Sequence, residues 1–264
     1  MVRTICCGVL AVMVAGLLVT GAHADDKPAA GADASGALVT APPEPADMKP
    51  LFNGKDLAGW EGNEKLWSFK DGVVRGETTN ENQTNGNTFL IWRGGDLKDF
   101  ELRLSFRIKG GNSGVQYRCQ HQKDEKSNPW VVAGYQAEVE DTPGKVGFLY
   151  DERGRGYLCS VGDKAVCKTD AKPETVGKLG DRDAIGKTYK KSDWNDYVIV
   201  ARGNVLKHYL NGVQTVEFTD EDEKNRELSG LLALQIHSGP PMVVEFKDVR
   251  LKAADSAAGD GDKK

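Results

Sequence analysis

Three short runs bring together the side chains with chemical potential. In NSGVQYRCQ, residues 112–120, Val115, Tyr117 and Cys119 alternate with Gln116, Arg118 and Gln120. In GYQAEVED, residues 134–141, Tyr135, Ala137 and Val139 oppose Gln136, Glu138 and Glu140, with Asp141 at the end. In LLALQIH, residues 231–237, Leu232, Leu234 and Ile236 oppose Gln235 and His237. A period of two is that of a strand with one buried face. If the runs share a sheet, its other face carries an arginine, amides, two carboxylates and a histidine. Arg118 is a planar, permanently charged donor suited to polarising a carbonyl oxygen, or to pairing with Glu138 as a salt bridge. Glu138, its pKa raised by burial, or His237 is placed to act as a general base. Glu138 and Glu140 are about 6.6 Å apart along a strand, a spacing that suits paired-carboxylate sugar chemistry and equally suits a solvated acidic face. Asn112-Ser113-Gly114 reads either as a turn facing a ligand or as a tight hairpin after Gly110-Gly111.

The elements that must position these groups are strands. Phe100, Leu102, Leu104, Phe106 and Ile108 alternate without a break against Glu101, Arg103, Ser105, Arg107 and Lys109. Asp71-Gly72 and Asn211-Gly212 are two-residue hairpin turns between apolar runs. Residues 194–202, 205–210, 213–218, 231–237 and 242–251 continue strand after strand, while 160–192 reads as a long loop with at most a helical turn and 219–228 as a short helix. Some dozen strands, the 31 glycines and almost no amphipathic helix predict an all-β sandwich or jelly roll.

Composition bounds the rest. The 264 residues carry a formal net charge of -4 with interspersed signs, and no basic stripe supports a nucleic-acid partner. Residues 1–24 read as a secretory signal, with Arg3, an apolar core from Ile5 to Val19, and Ala22-His23-Ala24 before the cut. That predicts a secreted or periplasmic chain with no membrane segment after cleavage. Residues 25–48 and 253–264, poor in large apolar side chains, are expected to be a disordered linker and tail around a folded unit at 49–252. Of the three remaining cysteines, Cys119 falls on the apolar face of its run, and Cys159 and Cys167 are close enough in sequence to close a small disulfide loop. No cysteine spacing demands a metal and no cofactor is predicted, although carboxylates and His237 leave a divalent ion open.

The runs LFNGKDLAGW, LIWRGGDLKDFELRLSFRI, NSGVQYR, GYQAEVED, WNDYVIVARGN and LQIHSGPPMVVEFKDVRL together resemble the secreted bacterial 3-keto-disaccharide hydrolase family, over about Pro50 to Leu251. The resemblance implies a concanavalin A-like jelly roll of two antiparallel sheets whose concave sheet meets a sugar. It also implies cleavage of 3-keto-glucosides. A ketone at C3 acidifies the C2 proton, a base removes it, the C1 substituent leaves, and water adds to the resulting glucal. On this reading Glu138 or His237 is the base, Arg118 polarises the ketone, and Asp141 or the other member of the first pair is the acid. Asn112, Gln116, Gln136, Glu140, Tyr150, Gln235 and Trp130 are the expected sugar contacts. Two other functions use the same face: a non-catalytic carbohydrate-binding module with Trp92, Trp130, Tyr135 or Tyr150 as stacking platforms, and a glycosidase using Glu138 and Glu140.

Overall fold

The computed structural model describes residues 37–122 and 128–253. The signal reading of 1–24 and most of the expected tail lie outside the described residues. In chain order the first strands are β1 (Lys49–Pro50), β2 (Trp60–Glu61), β3 (Trp67–Lys70), β4 (Val73–Thr78), β5 (Thr88–Trp92) and β6 (Phe100–Lys109). They are followed by β7 (Asn112–His121), β8 (Val132–Glu140), β9 (Leu149–Glu152), β10 (Gly156–Cys159), β11 (Asp163–Lys168) and β12 (Glu174–Lys178). A single helical turn, α1 (Arg182–Gly186), precedes β13 (Asn195–Arg202), β14 (Val205–Leu210), β15 (Val213–Glu221), β16 (Leu231–Ile236) and β17 (Met242–Ala253).

Two sheets face each other as a jelly roll. The first runs β12-β11-β15-β14-β13-β6-β17-β4-β3, with β1 on β17, and the second runs β10-β9-β8-β7-β16-β5-β2. Every pairing is antiparallel except β11 with β15. The core lies between them, where Phe100, Leu102, Leu104, Phe106 and Ile108 meet Tyr117, Tyr135, Val139, Leu234 and Ile236. Burial of each such side chain contributes about 1.5–3 kcal/mol, which holds the two sheets in one register. Asp71-Gly72 and Asn211-Gly212 all take positive φ, as two-residue hairpins require.

The loop expected at 160–192, with at most a helical turn, holds that turn as α1, whose N-terminus is capped by the Asp181 carboxylate accepting from Ala184 N–H, and adds the unexpected strands β11 and β12. No helix forms at 219–228. β15 runs on to Glu221, and the Asp222 side chain then accepts from the N–H groups of Lys224 and Asn225. Composition also misjudged 37–48. Leu38 packs against Val161, Leu179 and Ile185, Ala41 N–H bonds Gly212 O, the Pro42 carbonyl accepts from Arg103, and Glu44 and Asp47 pair with Arg250 and Lys252. This run is therefore laid along the first sheet from residue 37 onward.

The alternation of β7 is broken. Tyr117 is opposite Tyr135, yet Gln120 is opposite Ala133, so three steps on β7 match two on β8. This one-residue bulge sits at Arg118, whose φ is 49. Two glycines admit it: a Cβ on Gly134 would lie 2.8 Å from Cys119 Cα, and one on Gly230 would lie 2.6 Å from Arg118 C. Beyond the bulge the faces exchange. Cys119 leaves the core face and joins Phe89, Ile91, Val131, Val132 and Ala233 in a separate apolar cluster.

Arg118 is corrected by the same shift. It is fully buried, donating from Nε to Lys98 O at 2.8 Å, from Nη1 to Gly203 O at 2.7 Å and Glu227 O at 3.3 Å, and from Nη2 to Asp99 Oδ1 at 3.1 Å. All three of its nitrogens are bonded to three loops, so it is a structural staple and not the group that polarises a ketone. Arg118→Met should lower the unfolding free energy by about 3 kcal/mol, since three carbonyls each lose a donor worth about 1 kcal/mol. Urea titration checks this, and a loss below about 1 kcal/mol would contradict the staple.

Candidate active site

The polar face of the second sheet holds a row of amides around one carboxyl. Gln116 of β7 is directly opposite Gln136 of β8, and Glu138 is opposite Gly114. On the far side of β7, Leu234 is opposite Val115, so the register carries Gln235 to the level of Gly114. Glu138, Gly114 and Gln235 thus form a row across three strands with no side chain at its centre. Gln136 fills the gap. A Cβ on Gly114 would lie 2.5 Å from Gln136 Cγ and Cδ, so the glycine of NSGVQYR is required by the glutamine of GYQAEVED.

Gln136 Nε2 lies 2.7 Å from Glu138 Oε2, and Gln235 Nε2 lies 2.9 Å from Gln136 Oε1. Gln116 bonds Gln136 and Asn112 Nδ2 donates to Glu138 Oε1. Tyr197 reaches through the core from β13 and donates to the Glu138 backbone carbonyl at 3.2 Å. Glu138 is 2% exposed, Gln136 3%, and Gln116 and Gln235 are fully buried.

A roof explains that burial. Asn87, just before β5, donates to Glu152 Oε1 of β9 at 3.1 Å, and its Oδ1 accepts from Ser238 N–H at 3.1 Å. β5 and β9 are separated by β16, β7 and β8, a span of about 19 Å in a flat sheet, so the curled sheet and the loop before β5 close over the amides. Asn128 Nδ2 ties the roof down by donating to Asn87 O at 2.9 Å. No alternation or motif pointed to Asn87 or Glu152, because their pairing depends on sheet curvature.

Burial pushes the Glu138 carboxyl up to about 8. A hydrogen bond from Asn112, and one from Gln136 when its nitrogen faces the carboxyl, oppose the rise, and the charges of Glu140 and Glu152 add to it. Near neutral pH the group is mainly the neutral acid, able to give a proton. Tyr150 is opposite Gln136 on β9, and its phenol is held protonated by burial first, then by Glu152 and Glu138. Glu140 is opposite Asn112 and pairs with Lys145 at 3.2 Å. His237, just past β16, is exposed, and its backbone N–H bonds Asn112 O at 3.3 Å. Its Nδ1 faces Ser238 O. A carbonyl only accepts, so Nδ1 carries the hydrogen and Nε2 the lone pair of the neutral ring.

Two further expectations are corrected. Asp141 Oδ2 accepts from Gly110 N–H at 3.0 Å, and the Tyr189 phenol lies against its carboxyl. As the next residue after Glu140 it is on the opposite side of the chain from Glu138, where it holds the β6–β7 hairpin. Cys159 and Cys167 are free thiols facing different carbonyls, Asp163 O and Ala171 O, so no disulfide closes that loop. Trp130 packs against the Cys119 cluster and borders a cleft of about 600 Å³ with Trp60 and Trp67, with no contact to Glu138. Among the described residues no group of three or more His, Cys, Asp or Glu side chains is placed to hold a metal ion, and no helix is long and apolar enough to cross a membrane.

No curated protein sequence matches the chain. A crystal structure from Parabacteroides distasonis ATCC 8503, provisionally described as a glycosyl hydrolase, is similar with a TM-score of 0.51 at 19% identity, over 79% of this chain and 100% of that one. A Bacillus subtilis protein of unknown function with a galectin-like fold is similar at 0.50 and 11% identity, over 79% of this chain and 95% of that one. At such identities the likeness is one of fold, and it agrees with the jelly roll described above. Residues 47–252, well over half of the chain and all of β1 to β16, match a single domain family. The chain therefore belongs to the 3-keto-alpha-glucoside-1,2-lyase-like domain family, a carbohydrate-active class.

Proposed function

We propose that this protein is a secreted or periplasmic enzyme that cleaves 3-keto-glucosides by elimination across C1 and C2, followed by hydration of the glucal. The observation that carries the reading is the buried Glu138 carboxyl, set among the Gln136, Gln116 and Gln235 amides and raised in pKa by that burial. Glu138 protonates the C1 oxygen as it departs. His237 Nε2 takes the C2 proton, and the Tyr150 hydroxyl donates to the ketone oxygen, the task that Arg118 is not free to perform. The enolate formed between C2 and C3 expels the protonated C1 substituent, and water then adds at C1 as a proton returns to C2. Acid, base and electrophile are the three groups this reaction needs.

A carbohydrate-binding module is the second reading, favoured by the Gln116, Gln136, Gln235 and Asn112 amides beside the carboxyl, groups suited to sugar hydroxyls. Incubation with a 3-keto-glucoside and with its unoxidised parent separates the two: release of aglycone from the keto form alone supports the lyase, and binding without release supports the module.

Glu138→Gln should lower kcat by at least roughly 100-fold, and Tyr150→Phe by about 10- to 100-fold. Because the acid must carry its proton, kcat/KM should fall about tenfold per pH unit above about 8, a limb absent from Glu138→Gln. Stability moves in the same window. Folding raises the Glu138 pKa, so between the ordinary carboxylate range and about 8 the folded state binds more protons and loses stability as pH rises. Glu138→Gln should accordingly gain on the wild type in thermal melts at pH 9, with the gap closing toward pH 5. Gly114→Ala, which drives a methyl into Gln136, should lower kcat at least tenfold while leaving a folded protein by circular dichroism. Full activity in that variant would contradict the packing.

A further inference from the structure

The amides beside Glu138 carry a direction, because an amide donates from nitrogen and accepts at oxygen, and a carboxylate only accepts. In one setting Gln136 Nε2 donates to Glu138 Oε2, and Gln136 Oε1 receives Gln116 and Gln235. That setting suits an ionised Glu138, but it serves the rest of the row badly. The Gln116 oxygen is turned toward the carbonyl oxygens of Gly134 and Tyr135 with no hydrogen between them. Gln235 has one amide atom without a partner in either setting, its oxygen here and its nitrogen once turned.

A half-turn of the Gln116 amide repairs the first fault, placing its nitrogen 3.0 Å from Tyr135 O and 3.1 Å from Gly134 O. Backbone carbonyls cannot turn, so this is the fixed end of the row. Gln116 then offers its oxygen to Gln136, which must answer with its N–H and turn as well. Gln235 turns with it and presents its oxygen to the same nitrogen. The turned Gln136 now presents its own oxygen to Glu138 Oε2, and two acceptors meet there unless Glu138 carries a hydrogen.

We infer that Gln136 is a positioning residue whose carbonyl oxygen accepts the Glu138 proton, so that Gly134 O and Tyr135 O, acting through Gln116, hold Glu138 as the neutral acid. The groups facing that carboxyl agree with this polarity. Glu140 on its own strand and Glu152 on β9 are acidic, Tyr150 on β9 is a neutral phenol, Asn112 on β7 is an amide, and His237 beyond β16 stands in solvent. Among the described residues no lysine or arginine is bonded to Glu138. The functional weight of the inference rests on Glu138 as proton donor, while the direction of the bond can be measured apart from activity.

The test is the carbon-13 titration of the Glu138 carboxyl in the full chain, assigned by its loss in Glu138→Gln. An accepting Gln136 stabilises the neutral form, so Gln136→Met should lower the midpoint by about one unit, a tenfold change in acid dissociation. A donating Gln136 stabilises the carboxylate, so its removal would raise the midpoint. A rise or no change overturns the inference. Since Met at this position could disturb packing, the wild type supplies a second readout. Scalar coupling across a hydrogen bond should join the Gln116 side-chain nitrogen to the carbonyl carbon of Gly134 or Tyr135, and coupling to the Gln136 side-chain carbonyl instead would overturn the inference. If both results hold while the alkaline limb of kcat/KM stays in place in Gln136→Met, the bond direction is supported and the reading of Glu138 as proton donor is overturned.

Discussion

Removing one carboxyl and three primary amides from water is the demand that shapes the second sheet. An unpaired buried polar group costs about 1–3 kcal/mol, and a charge costs more, so these groups must satisfy one another. Strand pairing makes that possible. Gln116 and Gln136 are opposite each other, Glu138 and Gln235 flank Gly114, and the absent side chain at Gly114 lets one amide reach both. The Asn87–Glu152 and Asn128–Asn87 bonds hold the loop before β5 across the same face. A carboxyl in such a row is cheaper to keep neutral than ionised.

The opposite sheet solves a different problem. Its outer face carries arginines whose side chains remain partly in water, Arg75 and Arg107, both paired with Glu245. Exposed pairs of this kind contribute little each, and they leave the sheet to be held by its apolar face. Ion pairing serves solubility on one sheet, and amide pairing serves proton chemistry on the other.

Much of this was legible in the residues. Phe100 to Lys109 alternates because it spans the core beside β17, and Asp71-Gly72 and Asn211-Gly212 turn where hairpin geometry demands positive φ. Glu138, Gln116, Gln136 and Gln235 were legible as one face because period two survives in β8 and β16. Arg118 was not, since a bulge shifts the period by one residue without changing composition, and only Gly134 and Gly230, distant in sequence, admit it. Asp141 failed for a related reason: it stands one step beyond the strand, where alternation no longer tells a ligand group from a hairpin clasp. Residues 37–48 were misread because, beside the apolar contact of Leu38, their anchoring comes from hydrogen bonds and ion pairs, which leave no hydrophobic pattern.

β17, the last strand described, does not lie at an edge. It is inserted between β6 and β4, and its far end receives β1 and the Glu44 and Asp47 contacts. While the polypeptide emerges from N- to C-terminus, β3-β4 and β6-β13 therefore remain two unconnected pieces until residue 253 is available. Pairings of this sequence separation form slowly. The nascent chain cannot close its first sheet, and cannot seat the strap ahead of β1, before synthesis has passed the whole domain. A chain of this architecture completes its first sheet only once β17 has been made, whatever local hairpins form before it.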